Sequence, residues 1–164
     1  MPAKGLALLG WKEKVGFPSW GLTLKAIMDP ASPLSTLAVE RVDALGRMRD
    51  AQGRQRLVLR LAVPMARGKG RLKLVYAYLS RRTRLGEGLG RCPVIRIPMR
   101  IGDLVWEGEL ALVSAPRRQY FLHLGRADLA GRCTLDPALS YRHPTRALAF
   151  EPEPSLPLPE IAES

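Results

Sequence analysis

The stretch IRIPMRIGDLVW, residues 95–106, decides the fold class. Apolar side chains occupy every second position from residue 95 to residue 101, and after the pair Gly102-Asp103 the apolar positions resume. Alternation with a period of two is typical of a half-buried strand, and a two-residue turn containing glycine joins the strands of a β-hairpin. The stretch therefore predicts an antiparallel hairpin that turns at Gly102 and Asp103.

Similar runs lie on both sides of this hairpin. Their alternation predicts further strands over residues 22–28, 57–63, 72–78 and 120–124. A short helix is predicted from Arg126 to Arg132, where Gly131 is a suitable residue to end it. Many short strands with turn residues between them predict a mainly-β barrel or sandwich.

Composition and charge restrict the class of protein. Of the 164 residues 46% are hydrophobic, enough for one domain with a real core, which we assign to residues 1–144. The Pro- and Glu-rich residues 145–164 are predicted to be a disordered tail. No apolar run is long enough for a membrane span and no signal-peptide core is evident, which predicts a cytoplasmic protein. The net charge of +11 favours a polyanionic partner, or else reflects solubility alone.

Few residues could support metal, cofactor or nucleophilic chemistry. The two cysteines predict reduced thiols, although a single bridge between them stays open. Potential zinc ligands occur without any local spacing pattern, so we expect no metal and no cofactor; they are Cys92, His123, Cys133 and His143. Residues 81–91 are interpreted as a mobile basic loop whose glycine-rich part, 86–90, is a hairpin tip and not a phosphate-binding loop.

Three aromatic side chains on predicted strands allow a nucleic-acid interpretation. With the basic loops, Tyr76, Tyr78 and Trp106 would make a charged aromatic platform for nucleic acid or the ribosome. The same side chains fall on the apolar faces of their strands, which favours the core instead.

One carboxylate stands at a chemically suggestive place. Asp29 ends the predicted strand 22–28 and opens the small-residue turn Pro30-Ala31-Ser32. Aspartic peptidases hold a catalytic carboxylate at such a strand end, and they need two carboxylates that share one proton. A chain of this length supplies one such loop, so two chains would have to meet at Asp29. On its own the pattern is also that of a turn-capping aspartate.

Three segments taken together suggest a family. They are LGWKE at 9–13 with LTLKAIMD at 22–29, PVI at 93–95 with IGDLVWE at 101–107, and LGRADLAGR at 124–132 with LDPALSY at 135–141. In order, over residues 6–142, they resemble the retropepsin-like aspartic peptidases found beside RimK-type glutamate ligases, which often carry the label ATP-dependent zinc protease. Nothing in this sequence points to ATP or zinc.

The resemblance implies a retropepsin-like (acid-protease) closed barrel with one short C-terminal helix, assembled as a homodimer. Asp29 of each chain would be the catalytic residue, and the pair Gly125-Arg126 would be the structural motif that closes the fold. Glutamate-extended or other acidic peptides are the implied substrates. Arginines of the basic loop would bind their carboxylates; they are Arg81, Arg82, Arg84 and Arg91.

The departures from the family concentrate at the catalytic loop. Where the family has Asp-Thr-Gly-Ala, this chain has Asp29-Pro30-Ala31-Ser32, while Ser35 is retained. Pro30 lacks both the hydroxyl and the N–H of threonine, and Ala31 adds a methyl group where glycine is usual. Three functions therefore stay open: an active peptidase, an inactive relative that binds an acidic peptide or a glutamate-ligase partner, and a basic β-barrel that binds nucleic acid.

Overall fold

The computed structural model describes residues 6–65, 71–86, 90–114 and 120–143. The predicted tail, residues 145–164, lies outside this part of the chain. No helix among the described residues is long and apolar enough to cross a membrane. The strands are β1 Ala7–Phe17, β2 Leu22–Met28, β3 Ser35–Val39, β4 Arg41–Arg49, β5 Gln55–Pro64, β6 Leu72–Arg84, β7 Arg91–Ile101, β8 Leu104–Ser114, β9 Leu122–Leu124 and β10 Cys133–Ser140; a 3₁₀ turn covers Pro18–Trp20 and helix α1 covers Arg126–Leu129.

Six of the strands close into a barrel. The order around it is β1, β2, β9, β3, β8 and β7, and the pairing of Gly16 in β1 with Arg100 in β7 completes the circle. The predicted hairpin is the β7–β8 pair, in which Ile101 faces Leu104 across the turn and Gly102 adopts a φ of 56°. The expected mainly-β closed barrel is confirmed, and the described residues contain one short α-helix, α1.

Strand β9 holds a special position in this barrel. It lies between β2 and β3, parallel to β2 and antiparallel to β3. The connection from β2 to β3, residues 29–34, must therefore pass over the end of β9. That crossing places the turn that begins at Asp29 beside the residues that follow β9.

Strands β4, β5 and β6 extend the sheet beyond β7 as an antiparallel ribbon. The prediction of a strand over residues 72–78 is confirmed, but its apolar residues Leu72 and Leu74 are each 49% exposed. Val75 and Ala77 are buried instead because they pair with Leu61 and Leu59 of β5, whose side chains point into the core. Paired residues share a face of the sheet, so the register of β5 fixes which face of β6 is buried.

Helix α1 is shorter than predicted. It begins at Arg126 as expected but ends at Leu129, because Ala130 already has an extended conformation with φ −62° and ψ 130°. Gly131 follows with a φ of 75°, the left-handed region that glycine adopts without strain. The turn then leads into β10, which pairs in parallel with β1.

A buried glutamate in β1 accepts hydrogen bonds from the last residues of the described chain. Glu13 is 0% exposed. Its Oε1 accepts hydrogen bonds of 2.9 Å from the backbone N–H groups of Gly10 and Arg142, and its Oε2 accepts one of 3.2 Å from the N–H of His143. The three donors compensate for burying the charge. Nothing in the alternation of the sequence singles out this residue.

Candidate active site around Asp29

Backbone hydrogen bonds fix the turn at Asp29. The N–H of Asp29 donates to the carbonyl oxygen of Leu124 at the end of β9, at 2.8 Å. The N–H of Ser32 donates to the carbonyl oxygen of Asp29 at 3.1 Å, which closes a four-residue turn. The hydroxyl of Ser32 donates to the carbonyl oxygen of Leu34 at 2.9 Å. The turn is therefore anchored both to the barrel and to itself.

The step from β9 into α1 supports the same loop from the other side. The N–H of Arg126 donates to the carbonyl oxygen of Ser32 at 2.7 Å, and the N–H of Ala127 donates to that of Pro33 at 3.1 Å. A Cβ atom at Gly125 would lie 2.3 Å from the carbonyl carbon of Leu34, closer than real contacts allow. Glycine is therefore required at residue 125 for the loop to approach the helix. The Arg126 side chain adds a long contact, 3.5 Å from Nη1 to the carbonyl oxygen of Pro30.

A buried polar cluster lies beneath this step. The Ser35 hydroxyl accepts a hydrogen bond of 2.9 Å from the N–H of Gly125 and donates to Oδ2 of Asp128. The indole N–H of Trp106 donates to Oδ1 of the same carboxylate at 3.1 Å. The cluster joins β3, β8 and α1, so it holds the Asp29 loop in its place relative to the barrel.

The sequence pointed to Ser35 as support for the loop and to Gly125 as part of the closing motif, but it gave Asp128 no role and placed Trp106 only in an aromatic platform. A further constraint lies at Gly108, where a Cβ atom would come within 2.0 Å of Cε of Met99 and 2.7 Å of Oδ1 of Asp128. The only local indication of this cluster in the sequence was a glycine, residue 108, two residues after a tryptophan within a predicted strand. The partners lie 90 or more residues apart for the Ser35 contacts, so local spacing could not connect them.

Asp29 is half-buried and directly follows the last residue of β2. No hydrogen bond or ion pair joins its carboxylate to another of the described residues. The next two residues, Pro30 and Ala31, are exposed. The carboxylate thus stands on a rigid loop with an open surface beside it, where water, a ligand or a second chain can reach it.

The solved structures contain a likeness to this fold, while no family model and no curated protein matches the chain. A protein of unknown function (DUF785) from Legionella pneumophila superposes with a TM-score of 0.66 at 24% sequence identity. The match covers 83% of this chain and 97% of that one. The likeness shows the fold.

The arginines expected to bind substrate do not lie in a mobile loop. The interpretation of residues 81–91 as a loop is wrong, because Arg81, Arg82 and Arg84 belong to β6 and Arg91 belongs to β7, and the two strands pair with each other there. The predicted hairpin tip at 86–90 includes residues 87–89, which lie outside the described residues. Strand pairing extends this far because β7 provides partners for residues 81–84, which a count of apolar residues cannot detect.

These arginines are placed away from Asp29. Arg81 forms an ion pair with Glu109, 2.8 Å from Nη2 to Oε2. Arg82 and Arg91 line a groove that opens beside the far end of β3, at Val39. The Asp29 loop precedes the near end of β3, so about 13 Å of extended strand separates the two places.

The three aromatic side chains considered for nucleic acid do not form one platform. Trp106 is buried and bonded to Asp128. Tyr76 and Tyr78 lie on the outer face of β6 and line a different groove, where the guanidinium of Arg56 lies 5.0 Å from the ring centre of Tyr78. The prediction that the two tyrosines are core residues is wrong, since the register of β6 turns their face outward.

The potential metal ligands do not assemble in the part of the chain that the structure describes. No three side chains among its His, Cys, Asp and Glu residues come together as a metal site. Cys92 and Cys133 are both free thiols, and burial raises the pKa of each. His143 contacts the carbonyl oxygen of Leu8 through Nε2 at 2.8 Å, a structural role near the end of the described chain.

Proposed function

We propose that this chain is a retropepsin-like aspartic peptidase whose dyad forms from Asp29 of two copies. One observation carries the proposal: a half-buried carboxylate with no partner among the described residues stands on a loop that is anchored on both sides by backbone bonds. A catalytic group must be held in position yet remain accessible, and this one meets both conditions. The exposed residues Pro30 and Ala31 leave the adjoining surface free for a second copy.

The chemistry follows from two carboxylates at close range. They cannot both ionise, so the pair holds one proton. The ionised Asp29 removes a proton from water as the water oxygen attacks the peptide carbonyl carbon, and the protonated Asp29 of the other chain donates to the carbonyl oxygen. When the tetrahedral intermediate collapses, the C–N bond breaks and the amine leaves with a proton. Water is the only co-reactant.

The altered loop bears directly on this proposal. Pro30 cannot offer a hydroxyl or an N–H to the opposite loop, so the loop depends on bonds within its own chain, such as those from Arg126 and Ala127. Those bonds are present, which favours a loop that keeps its shape without the usual inter-chain contacts. The same departures favour the second candidate, an inactive relative that binds an acidic peptide or a glutamate-ligase partner.

The substrate class is part of the proposal. The net charge of +11 favours acidic ligands, and the resemblance to proteins found beside glutamate ligases favours glutamate-extended peptides. A cytoplasmic location would bring the protein together with such products, and free thiols are typical of that compartment.

The test is hydrolysis of a glutamate-extended peptide, followed by mass spectrometry across about pH 4 to 8, the range in which a dyad shares its proton. Wild type is compared with Asp29→Asn and with Asp103→Asn, which removes an exposed carboxylate from the β7–β8 turn. The proposal expects cleavage by wild type and Asp103→Asn and none by Asp29→Asn. Equal cleavage by all three would refute a role for Asp29, and no cleavage by a folded wild-type dimer would favour the binding-only relative.

A further inference from the structure

Three arginines share one face of the β6–β7 hairpin. Arg82 pairs with Pro93 and Arg84 pairs with Arg91, and residues that pair or stand two apart in a strand point to the same side. All three residues are exposed. Three positive charges are thus collected on a small surface.

These charges lack counter-ions within the described chain. No carboxylate there pairs with Arg82, Arg84 or Arg91, whereas the neighbouring Arg81 is neutralised by Glu109. Like charges this close repel one another, and an anionic ligand would relieve the repulsion. The surface therefore favours carboxylate or phosphate groups, which arginine binds with two parallel hydrogen bonds.

An apolar groove of about 690 Å³ opens beside these arginines. Arg82 and Arg91 form part of its wall, and aliphatic residues of the barrel and the ribbon, among them Val39, Val42 and Leu112, form its floor. Among the described residues of the lining Glu40 is the one carboxylate, against Arg82, Arg91 and Arg41. The groove thus combines a net positive rim with space for aliphatic side chains.

The lining of this groove distinguishes between two anionic partners. Its described lining residues include no aromatic side chain, so they give nucleobases no ring on which to stack. In the groove that contains Tyr76 and Tyr78, every arginine lies beside a carboxylate: Arg96 pairs with Glu107 at 3.3 Å, and Arg54 and Arg56 share Asp50 at 3.6 and 3.9 Å. Lys73 is a further cation in the described lining. The aromatic rings and the three arginines without counter-ions are therefore on different surfaces, which disfavours single-stranded nucleic acid at the groove beside Arg82 and Arg91.

We propose that the groove beside Arg82 and Arg91 binds an acidic peptide segment that carries aliphatic side chains. The carboxylates pair with Arg82, Arg84 and Arg91, and the aliphatic groups enter the groove. This surface extends the proposed peptidase by a docking site away from Asp29, but binding there does not require catalysis.

The experiment measures the anisotropy of a labelled peptide of alternating Glu and Leu at about 0.15 M salt, where charges farther apart than about 8 Å are screened. The variant carries Arg82→Gln, Arg84→Gln and Arg91→Gln. Its matched control carries Arg47→Gln, Arg49→Gln and Arg71→Gln, three exposed arginines outside the groove lining. Circular dichroism establishes that both variants fold.

The groove variant should bind about tenfold more weakly than wild type, because each exposed arginine–carboxylate pair is worth about 1.4- to 5-fold in affinity. The control should change by less than about twofold, since screening leaves little effect of distant charges. A Glu-Ser peptide of equal charge should also bind more weakly, because serine cannot fill the apolar groove. Equal losses in both triple variants would overturn the proposal.

Two further measurements sharpen the result. Asp29→Asn should bind the Glu-Leu peptide as tightly as wild type does. This result would separate the loss of catalysis at Asp29 from the loss of peptide binding at the groove. Oligouridine of equal charge should displace the peptide poorly. Displacement stronger than that by unlabelled Glu-Leu peptide would overturn the proposal in favour of a nucleic-acid surface.

Discussion

Removing the Ser35 hydroxyl should lower the free energy of unfolding of the domain, because this hydroxyl bonds to two buried groups beneath the Asp29 loop. Ser35→Ala leaves the buried N–H of Gly125 without its acceptor and takes one donor away from the Asp128 carboxylate, which keeps only the indole of Trp106. A buried group that loses its partner costs about 1–3 kcal/mol, so two such groups imply a loss of roughly 2–6 kcal/mol in the free energy of unfolding. For a chain of this size a loss of 3 kcal/mol corresponds to about 6–12 °C in Tm.

Thermal and urea unfolding followed by circular dichroism would measure the loss. The matched control is Ser80→Ala, since Ser80 is half-buried in β6 and lies outside the cluster. The control should change stability by less than about 0.5 kcal/mol, as substitutions away from such features do. If Ser35→Ala cost no more than Ser80→Ala, the cluster would not be what holds the Asp29 loop, and the reasoning would be refuted.

Three other predictions concern packing, a buried charge and the thiols. Gly108→Ala should destabilise by about 1–3 kcal/mol through overpacking, whereas Gly90→Ala, with open space around it, should be nearly neutral in the same unfolding assay; equal effects would contradict the packing at Gly108. Glu13→Gln replaces one acceptor of backbone N–H groups by a donor and should cost about 1.5–3 kcal/mol, and an unchanged Tm would disprove that role. Because burial raises the pKa of Cys92 and Cys133, the folded state holds its thiol protons to higher pH than the unfolded state does. Their contribution to stability is therefore complete below the ordinary thiol pKa and is lost as the pH rises through the raised values; alkylation of the folded protein should be slower than that of the unfolded protein near the ordinary pKa, and equal rates would contradict it.

Periodicity predicted the strands that have one solvent-exposed face and one buried face. In β2 the buried residues stand at every second position, as the sequence indicated. The β7–β8 hairpin was equally clear, because glycine at residue 102 supplies the positive φ that its turn requires. Both features are local, so a window of a few residues contains the information.

Elements without such a pattern were missed or misjudged. Strand β3 is buried at all five positions, so it shows no alternation, and β4 has no fully buried residue and contains a bulge between Ala44 and Gly46. The outward face of β6 was the more apolar one, and only its pairing with β5 determines which face is buried. In each case the pairing with a neighbouring strand decides the outcome, and the residues of the strand itself do not show it.

The local features of the candidate site could be predicted from the sequence, and its long-range contacts could not. The position of Asp29 directly after a strand followed from local sequence. The resemblance drew attention to Gly125, where the carbonyl of Leu34 approaches closely; the closing motif that it implies stays a prediction. The contacts of Ser35 with Asp128, and of Asp128 with Trp106, arise only when β9 inserts between β2 and β3 and brings α1 against the barrel. The separation of the arginines from Asp29 likewise follows from the direction of β3, which no motif encodes.

The most direct test of the shared dyad is to mix chains. Adding an equal amount of Asp29→Asn to a fixed amount of wild type, with time for subunits to exchange, should reduce peptide cleavage to about half, because random pairing in a twofold dimer moves half of the wild-type chains into mixed dimers with one carboxylate. Adding Asp103→Asn should leave cleavage undiminished. If Asp29→Asn also left the activity of the wild type unchanged, a dyad formed from two copies of Asp29 would be contradicted.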